Sequence, residues 1–412
     1  MLFLMAWNPM TSFKNLGPGL LFAGAAIGVS HLVQSTRAGA DFGFSLLWAL
    51  LLVNLFKYPF FQYGPRYATA TGESLIDGYK KLGKWVLVVY FVLTFLTMFT
   101  IQAAVTIVTA GLANNLFGIT SNLTVWSFII TSISLSILLL GKYKVLDNFM
   151  KIIISVLAIS TIIALMTAVF KNEHDYSFIQ KLPQGTTEIA FLIAFLGWMP
   201  APLDISTWHS LWTLEKIKTT TIGFAPKKAL FDFNVGYITT VILGICFISL
   251  GALVMFYSEE EISASASLFA QQLINIYTSN LGKGAALFIA IAAFTTMFST
   301  TITTLDASPR AMARSSELLF NKKSSKFYLI WILLLSFGTI SILAYFKTSM
   351  ITFVKIATIL SFLTAPFYAI ANFLLVKGKH MPKAHRPSIQ LQILSYMGIV
   401  FLIFFSIWYL VS

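Results

Sequence analysis

Residues 188–213 form an apolar stretch long enough to cross a bilayer, yet its middle reads Leu196-Gly197-Trp198-Met199-Pro200-Ala201-Pro202-Leu203-Asp204. Each proline removes a backbone donor and clashes with the preceding turn, so no continuous α-helix runs through Pro200 and Pro202. Hydrocarbon tolerates open backbone only where it is buried in protein or lines a cavity. A broken span with an ionisable residue at the break therefore reads as part of a transport site.

That stretch has ten companions. About 20 apolar residues cover a bilayer, and such runs recur near 17–40, 44–65, 85–112, 123–140, 150–170, 188–213, 232–257, 282–305, 327–346, 350–376 and 390–411. The chain is 57% hydrophobic and 10% charged, against roughly 25% charged residues in soluble domains. We expect an all-α membrane protein of about eleven spans, a single domain over residues 1–412. Of its 28 lysines and arginines, Arg37, Lys171, Lys181, Lys283 and Lys347 fall in loops on one side, and Lys57 and Lys355 fall inside spans. The remainder lie in alternate loops, beginning with the N-terminal one. Lysine and arginine are retained on the cytoplasmic side, which places the N-terminus inside and, after an odd number of spans, the C-terminus outside, in a plasma or inner membrane. Lys57 and Lys355 are expected to snorkel toward an interface.

The formal charge of +13 is scattered over short loops. It points to anionic lipid head groups and away from nucleic acid. Cys246, the single cysteine, lies in the seventh span and allows neither a disulfide nor a thiolate cluster. The start, Met1 to Trp7, lacks a basic n-region and a small-residue cleavage site, so it is expected along the interface and not as a removable signal. Glu259-Glu260-Glu261 reads as a solvated external loop.

A second interruption matches the first. The opening span reads Gly17-Pro18-Gly19, an apolar half-helix to Ile27, then Gly28-Val29-Ser30-His31 at its centre. Ser30 is placed to cap the second half-helix of that span. Spans one and six are five spans apart, which reverses their direction, so two five-span units (about 17–170 and 188–376) are expected to form an inverted repeat, with an extra helix at 390–411. Half-helix ends then converge and offer N–H groups and freed carbonyls to a solute.

Several segments carry a resemblance: Gly17-Pro18-Gly19, Gln34 to Gly39, Asp41-Phe42-Gly43-Phe44-Ser45-Leu46-Leu47-Trp48, Asn114-Asn115-Leu116-Phe117-Gly118, Gly197 to Pro200 and Ser299-Thr300-Thr301-Ile302-Thr303. They resemble the natural resistance-associated macrophage protein (Nramp) family along essentially the whole chain. The resemblance implies an LeuT-type fold and proton-linked uptake of manganese or iron. Where the family has Asp-Pro-Gly-Asn in span one, this chain has Gly28-Val29-Ser30-His31, so Gly28 stands for the metal-binding carboxylate and His31 for its amide ligand. Where the family has Met-Pro-His-Asn in span six, Met199 keeps the thioether and Ala201 replaces the histidine tied to proton movement. Two acids of the family's proton route correspond to Gln102 and Val105, and a glutamine-type ligand to Thr358.

The polar residues left at membrane depth supply the candidate site. Asp204 either caps the second half of span six or binds a solute or proton. His31 is either held by a backbone carbonyl or binds a transition metal through one nitrogen. Met199 is packing by its surroundings and a ligand by the family register. His31, Met199 and Asp204, with carbonyls near Ala26 and Ala201, are the candidate metal set, and Gly28, Ser30, Trp198 and Ala201 complete the expected substrate site. His209 is a proton or exit-path candidate or else interfacial, and Asp306 is a gating candidate pairing with Arg310 or Arg314. No phosphate loop, zinc motif or nucleophile elbow occurs, so no enzyme and no cofactor is expected. The expected function is secondary transport of a divalent metal ion of the manganese or iron type. The alternatives are a different small solute, or a transport-inactive homologue.

Overall fold

The computed structural model describes residues 17–141, 143–171, 174–219, 225–258, 262–346 and 349–412. Regular structure among them is wholly helical, in fifteen α-helices: α1 Pro18–Ala26, α2 Thr36–Phe42, α3 Leu47–Thr71, α4 Leu75–Leu82, α5 Lys84–Phe117, α6 Leu123–Leu139, α7 Tyr143–Lys171, α8 Thr186–Trp198, α9 Ile205–Thr219, α10 Pro226–Met255, α11 Ala266–Leu281, α12 Ala286–Phe320, α13 Lys326–Tyr345, α14 Met350–Lys377 and α15 Ile389–Val411. Each expected span falls on one helix or one broken pair: α1 with α2 is the first, and α8 with α9 the sixth. Among the described residues six helices are long and apolar enough to cross a membrane on their own, namely α5, α10, α12, α13, α14 and α15. The first span passes as a pair bent by 45°, while α6, α8 and Ser155–Lys171 of α7 are shorter apolar helices. The second span, α3, has 25 residues and carries Lys57 and Arg66 within them. Met1 to Trp7, Lys14, Lys142, Lys347 and Glu259 to Glu261 lie outside the described residues.

Large apolar side chains on the outer face confirm where lipid sits. Phe170 is 82%, Phe337 73% and Val400 66% exposed; water would penalise such a surface, and hydrocarbon does not. Inside, one apolar cluster gathers around α3, α8, α9 and α14, and a second around α5, α10, α11 and α12. The first broken span contributes to both, and the sixth lies mainly in the first cluster with Trp198 in the second.

The first span is held along its length by α10. A methyl group on Gly19 would lie 2.0 Å from the Asp232 carbonyl, and one on Gly236 would lie 2.1 Å from the Gly19 carbonyl. The pattern repeats at the other half-helix, where Gly39 faces the Ile248 carbonyl at 2.0 Å and Gly251 the Thr36 carbonyl at 2.1 Å. Only backbones without a Cβ approach this closely, the usual device for packing helices where lipid supplies no hydrophobic drive. Asp232 adds a polar clamp, accepting the Gly17 N–H at 3.0 Å and the Gly19 N–H at 2.7 Å. This acid at an N-terminus suits the helix dipole and explains why Pro18, which donates no N–H, stands between the two glycines.

Gly39→Ala therefore forces α2 from α10 and is expected to cost about 2 kcal/mol or more, read as a lower melting temperature of the purified protein. Gly284→Ala, with open space at its Cβ, should leave that temperature unchanged. Equal melting of the two variants would refute the close-approach argument.

Candidate functional site

At the first break α1 ends at Ala26, and the chain resumes as a π-helical turn, Ser30–Ser35, leading into α2. Ser30 does not cap this turn. Val29 is already helical (φ −55°, ψ −36°), so the Ser30 hydroxyl points back and donates to the Ala26 carbonyl. His31 is wholly buried and joins the same point: its Nδ1 lies 3.0 Å from the Ala26 carbonyl and 2.8 Å from Ser30 Oγ. Its Nε2 lies 2.8 Å from the Thr240 carbonyl on α10. A neutral imidazole carries one N–H and a carbonyl oxygen only accepts, so in either neutral tautomer one of these two carbonyls faces a ring lone pair.

At the second break α8 ends at Trp198 and α9 begins at Ile205. Met199 Sδ and His31 Nε2 face the same glycine of α10: a methyl group on Gly244 would lie 3.4 Å from the sulfur and 3.8 Å from the nitrogen. His31 and Met199 thus both approach Gly244, where Leu50 Cδ1 is nearer still, 3.0 Å from the same methyl position. Trp198 turns elsewhere, donating its Nε1–H to Ser361 Oγ on α14 at 2.8 Å.

Lys57 departs most from its expected place. It does not snorkel; it is 0% exposed, and its Nζ donates to the carbonyls of Leu196 at 2.7 Å, Gly197 at 2.8 Å and Ala201 at 3.3 Å. The last turn of α8 and the break leave these carbonyls without helical partners, and α3 passes close enough for a lysine stem to reach them. Asp204 stands at the residue before α9, with its carboxylate toward the N–H groups of Ile205 and of its own residue. Its Oδ1 has no hydrogen-bond partner among the described residues. The carboxylate is coupled electrostatically to Lys57 and to the buried tyrosines Tyr79, Tyr90 and Tyr368. It stands directly before α9 and is coupled to this polar group, while His31 and Met199 approach Gly244 of α10.

Between the breaks lies a small cavity lined by Ala26, Val29 and Ser30 from the first, Trp198, Ala201 and Pro202 from the second, Val105 of α5, and Thr300 and Thr304 of α12. It has room for little more than a water. Gly28 sits beside it, and a methyl group there would meet Thr300 Oγ1 at 2.8 Å. A carboxylate at position 28 therefore needs Thr300 to move. Among the described residues no three His, Cys, Asp or Glu side chains gather where one metal ion could bind them; any metal site here draws on nitrogen, sulfur and carbonyl oxygen.

Around the cavity the α5–α12 seam is neutral. Gln102 donates to the Thr301 carbonyl at 3.2 Å and to Thr106 Oγ1 at 3.3 Å, and accepts from Thr304 Oγ1 at 2.6 Å. Thr109 and Thr301 hydroxyls bond at 2.7 Å. The threonine run 300–304 signalled this ladder, and its role emerges only with α5 beside it. Gln34 reaches Thr358 Oγ1 at 3.5 Å.

His209 is not interfacial. It is 0% exposed, stacked 5.8 Å from Phe22 and flanked by Phe233 and Trp212. Neither ring nitrogen has a partner among the described residues. Asp306 pairs with Arg310 at 2.7 Å and accepts from the Tyr328 hydroxyl at 2.6 Å. Arg314 instead bonds Asp77 of α4 and Glu317, pinning α4 to α12.

Two broken spans, each capped inside the protein and meeting at a central cavity, define a membrane transporter. The chain belongs to the natural resistance-associated macrophage protein-like family, Nramp, whose model matches residues 19–412; that family is one of transporters and not of enzymes. It is 36% identical to an uncharacterized protein of Pasteurella multocida over 404 residues, 96% of this chain and 92% of that protein. Its fold is similar to that of the Eremococcus coleocola manganese transporter, seen in a mutant form, with a TM-score of 0.73 at 12% identity over 98% of this chain and 87% of that one. It is also similar to MhsT in complex with L-phenylalanine, with a TM-score of 0.64 at 13% identity over 94% of this chain and 98% of that one. The protein is an integral membrane transporter of the LeuT type.

Gln102→Leu removes a donor to the Thr301 carbonyl and the cross-helix acceptor of the Thr304 hydroxyl, which keeps only the Thr300 and Thr301 carbonyls of its own helix. It should lower stability by about 0.5–1.5 kcal/mol, with melting temperature as the readout; an unshifted melt would show the ladder to be dispensable.

Proposed function

We propose that this protein is a secondary transporter carrying a divalent metal ion of the manganese or iron type through the site between its broken spans. The observation that carries the reading is the approach of both His31 Nε2 and Met199 Sδ to Gly244, with the Thr240 carbonyl beside the nitrogen. Family membership and the similarity to a manganese transporter support it. Imidazole and thioether suit a transition ion better than magnesium, which prefers oxygen ligands and keeps its water. For His31 to ligate, its proton must sit on Nδ1 and donate to the Ala26 carbonyl, which frees the Nε2 lone pair; a carbonyl partner on the far nitrogen is the usual way a ligating histidine is oriented. Asp204, His31 and His209 are the groups at membrane depth that could carry a coupled proton. The Asp306–Arg310 pair and its tyrosine are our choice for a gate, and the loop charges favour a cytoplasmic N-terminus and an external C-terminus in a cell membrane.

The cavity favours a second reading. Its lining is apolar apart from the hydroxyls of Ser30, Thr300 and Thr304 and the indoles of Trp198 and Trp208, and no carboxylate lines it, so a small uncharged solute would fit its chemistry once the cavity widens. MhsT, of the same fold, is seen with an amino acid.

Uptake into proteoliposomes separates the two. With manganese, iron, cobalt and magnesium offered in turn, the first reading expects manganese or iron to enter and His31→Ala and Met199→Ala each to cut entry at least about tenfold, a loss of 1.4 kcal/mol in binding. Entry of none of these ions, with uptake of an organic solute from a panel of neutral amino acids, would replace it by the second.

A further inference from the structure

The α8 end of the sixth-span break is already occupied by the Lys57 head group. The carbonyls at a helix C-terminus together carry roughly half a negative charge, and in transporters with broken helices such carbonyls commonly hold an alkali cation. Here three of them, from Leu196, Gly197 and Ala201, converge on one ammonium at 2.7, 2.8 and 3.3 Å. An ammonium has three N–H donors and no acceptor, so the Lys57 head group is satisfied by these three bonds alone. The three acceptors lie on both sides of Met199 and Pro200, so the charge ties the last turn of α8 to the chain leading into α9. Its countercharge is Asp204, at the start of α9 and electrostatically coupled to it. Both side chains are at most 5% exposed.

We propose that Lys57 is a resident cation: its ammonium fills a monovalent-cation site made of the freed carbonyls of span six, and holds the break together where a sodium or potassium ion from solution would otherwise be needed. The site is a binding site in its own right, with the side chain as its tethered ligand. It shares the sixth-span break with Met199 and takes the Ala201 carbonyl, but its test reads melting and not uptake, so it stands or falls independently of which solute is carried.

The test compares thermal melting of the purified full-length protein in sodium, potassium, methylammonium and N-methylglucamine chlorides at equal ionic strength. The natural protein should melt at one temperature in all four. Lys57→Ala removes the charge and opens space for a small ion; its melting temperature in N-methylglucamine should fall by roughly 5 °C or more, and sodium, potassium or methylammonium should restore at least half of the loss. Lys57→Met, which keeps the stem and loses the charge, should melt low in every salt because its side chain blocks the ion. A natural protein that is itself stabilised by sodium or potassium overturns the proposal, and this arm holds even if Lys57→Ala fails to fold. So does Lys57→Met melting like the natural protein, which would make Lys57 mere packing, or a Lys57→Ala protein that folds but gains nothing from any small cation.

Discussion

Lipid offers a broken helix neither donors nor acceptors, so backbone freed inside a membrane has to be paired by the protein itself, and in this fold the pairing can be followed end by end. Asp232 accepts the first N–H groups of the first span. Where that half-helix stops, Ser30 and His31 turn back to its last carbonyl. The carbonyls that end α8 receive the Lys57 ammonium, and Asp204 stands at the N–H groups that open α9. Acids meet N-termini and the base meets a C-terminus, the arrangement that helix dipoles favour. Without these partners the backbone freed at each break would be left unpaired inside the membrane.

The same pairings leave the cavity itself with little charge. A buried carboxylate without a partner is expensive; Asp204 is electrostatically coupled to Lys57, and neither residue lines the cavity. Gln102 and the threonines of α12 fill the α5–α12 seam with neutral hydrogen bonds. The glycines that press α10 against both halves of the first span do more than pack. By drawing α10 close they bring the Thr240 carbonyl to His31, and Gly244 to both the histidine and the thioether.

Much of the fold is legible from residue order because its signals are local. A run of some twenty apolar residues needs a helix whatever surrounds it, and Pro200 and Pro202 break a helix whatever packs against it. The five-span offset between the breaks then leads to the repeat. Of the residues proposed for the site, Ser30, Trp198 and Ala201 line the cavity and Gly28 lies beside it, while His31 and Met199 each approach Gly244. Lys57 is not legible, because a lone lysine in an apolar run snorkels unless acceptors lie within its reach, and those acceptors are backbone atoms about 140 residues further along. His209 escapes for a similar reason: the aromatic rings that bury it come from α1 and α10 as well as its own helix.

Sequence by itself determined that this chain crosses a membrane many times, that two of its spans are interrupted at mid-depth, and that the family's first-span carboxylate is missing. These follow from side-chain chemistry and backbone geometry within a few residues. Tertiary structure alone decided which groups satisfy the interruptions, since a freed carbonyl accepts from whatever donor the packing delivers, and that donor is set by helix approach and not by neighbours in the chain. It placed a lysine on the carbonyls of one break, a histidine between the other break and α10, and an aspartate across from the lysine.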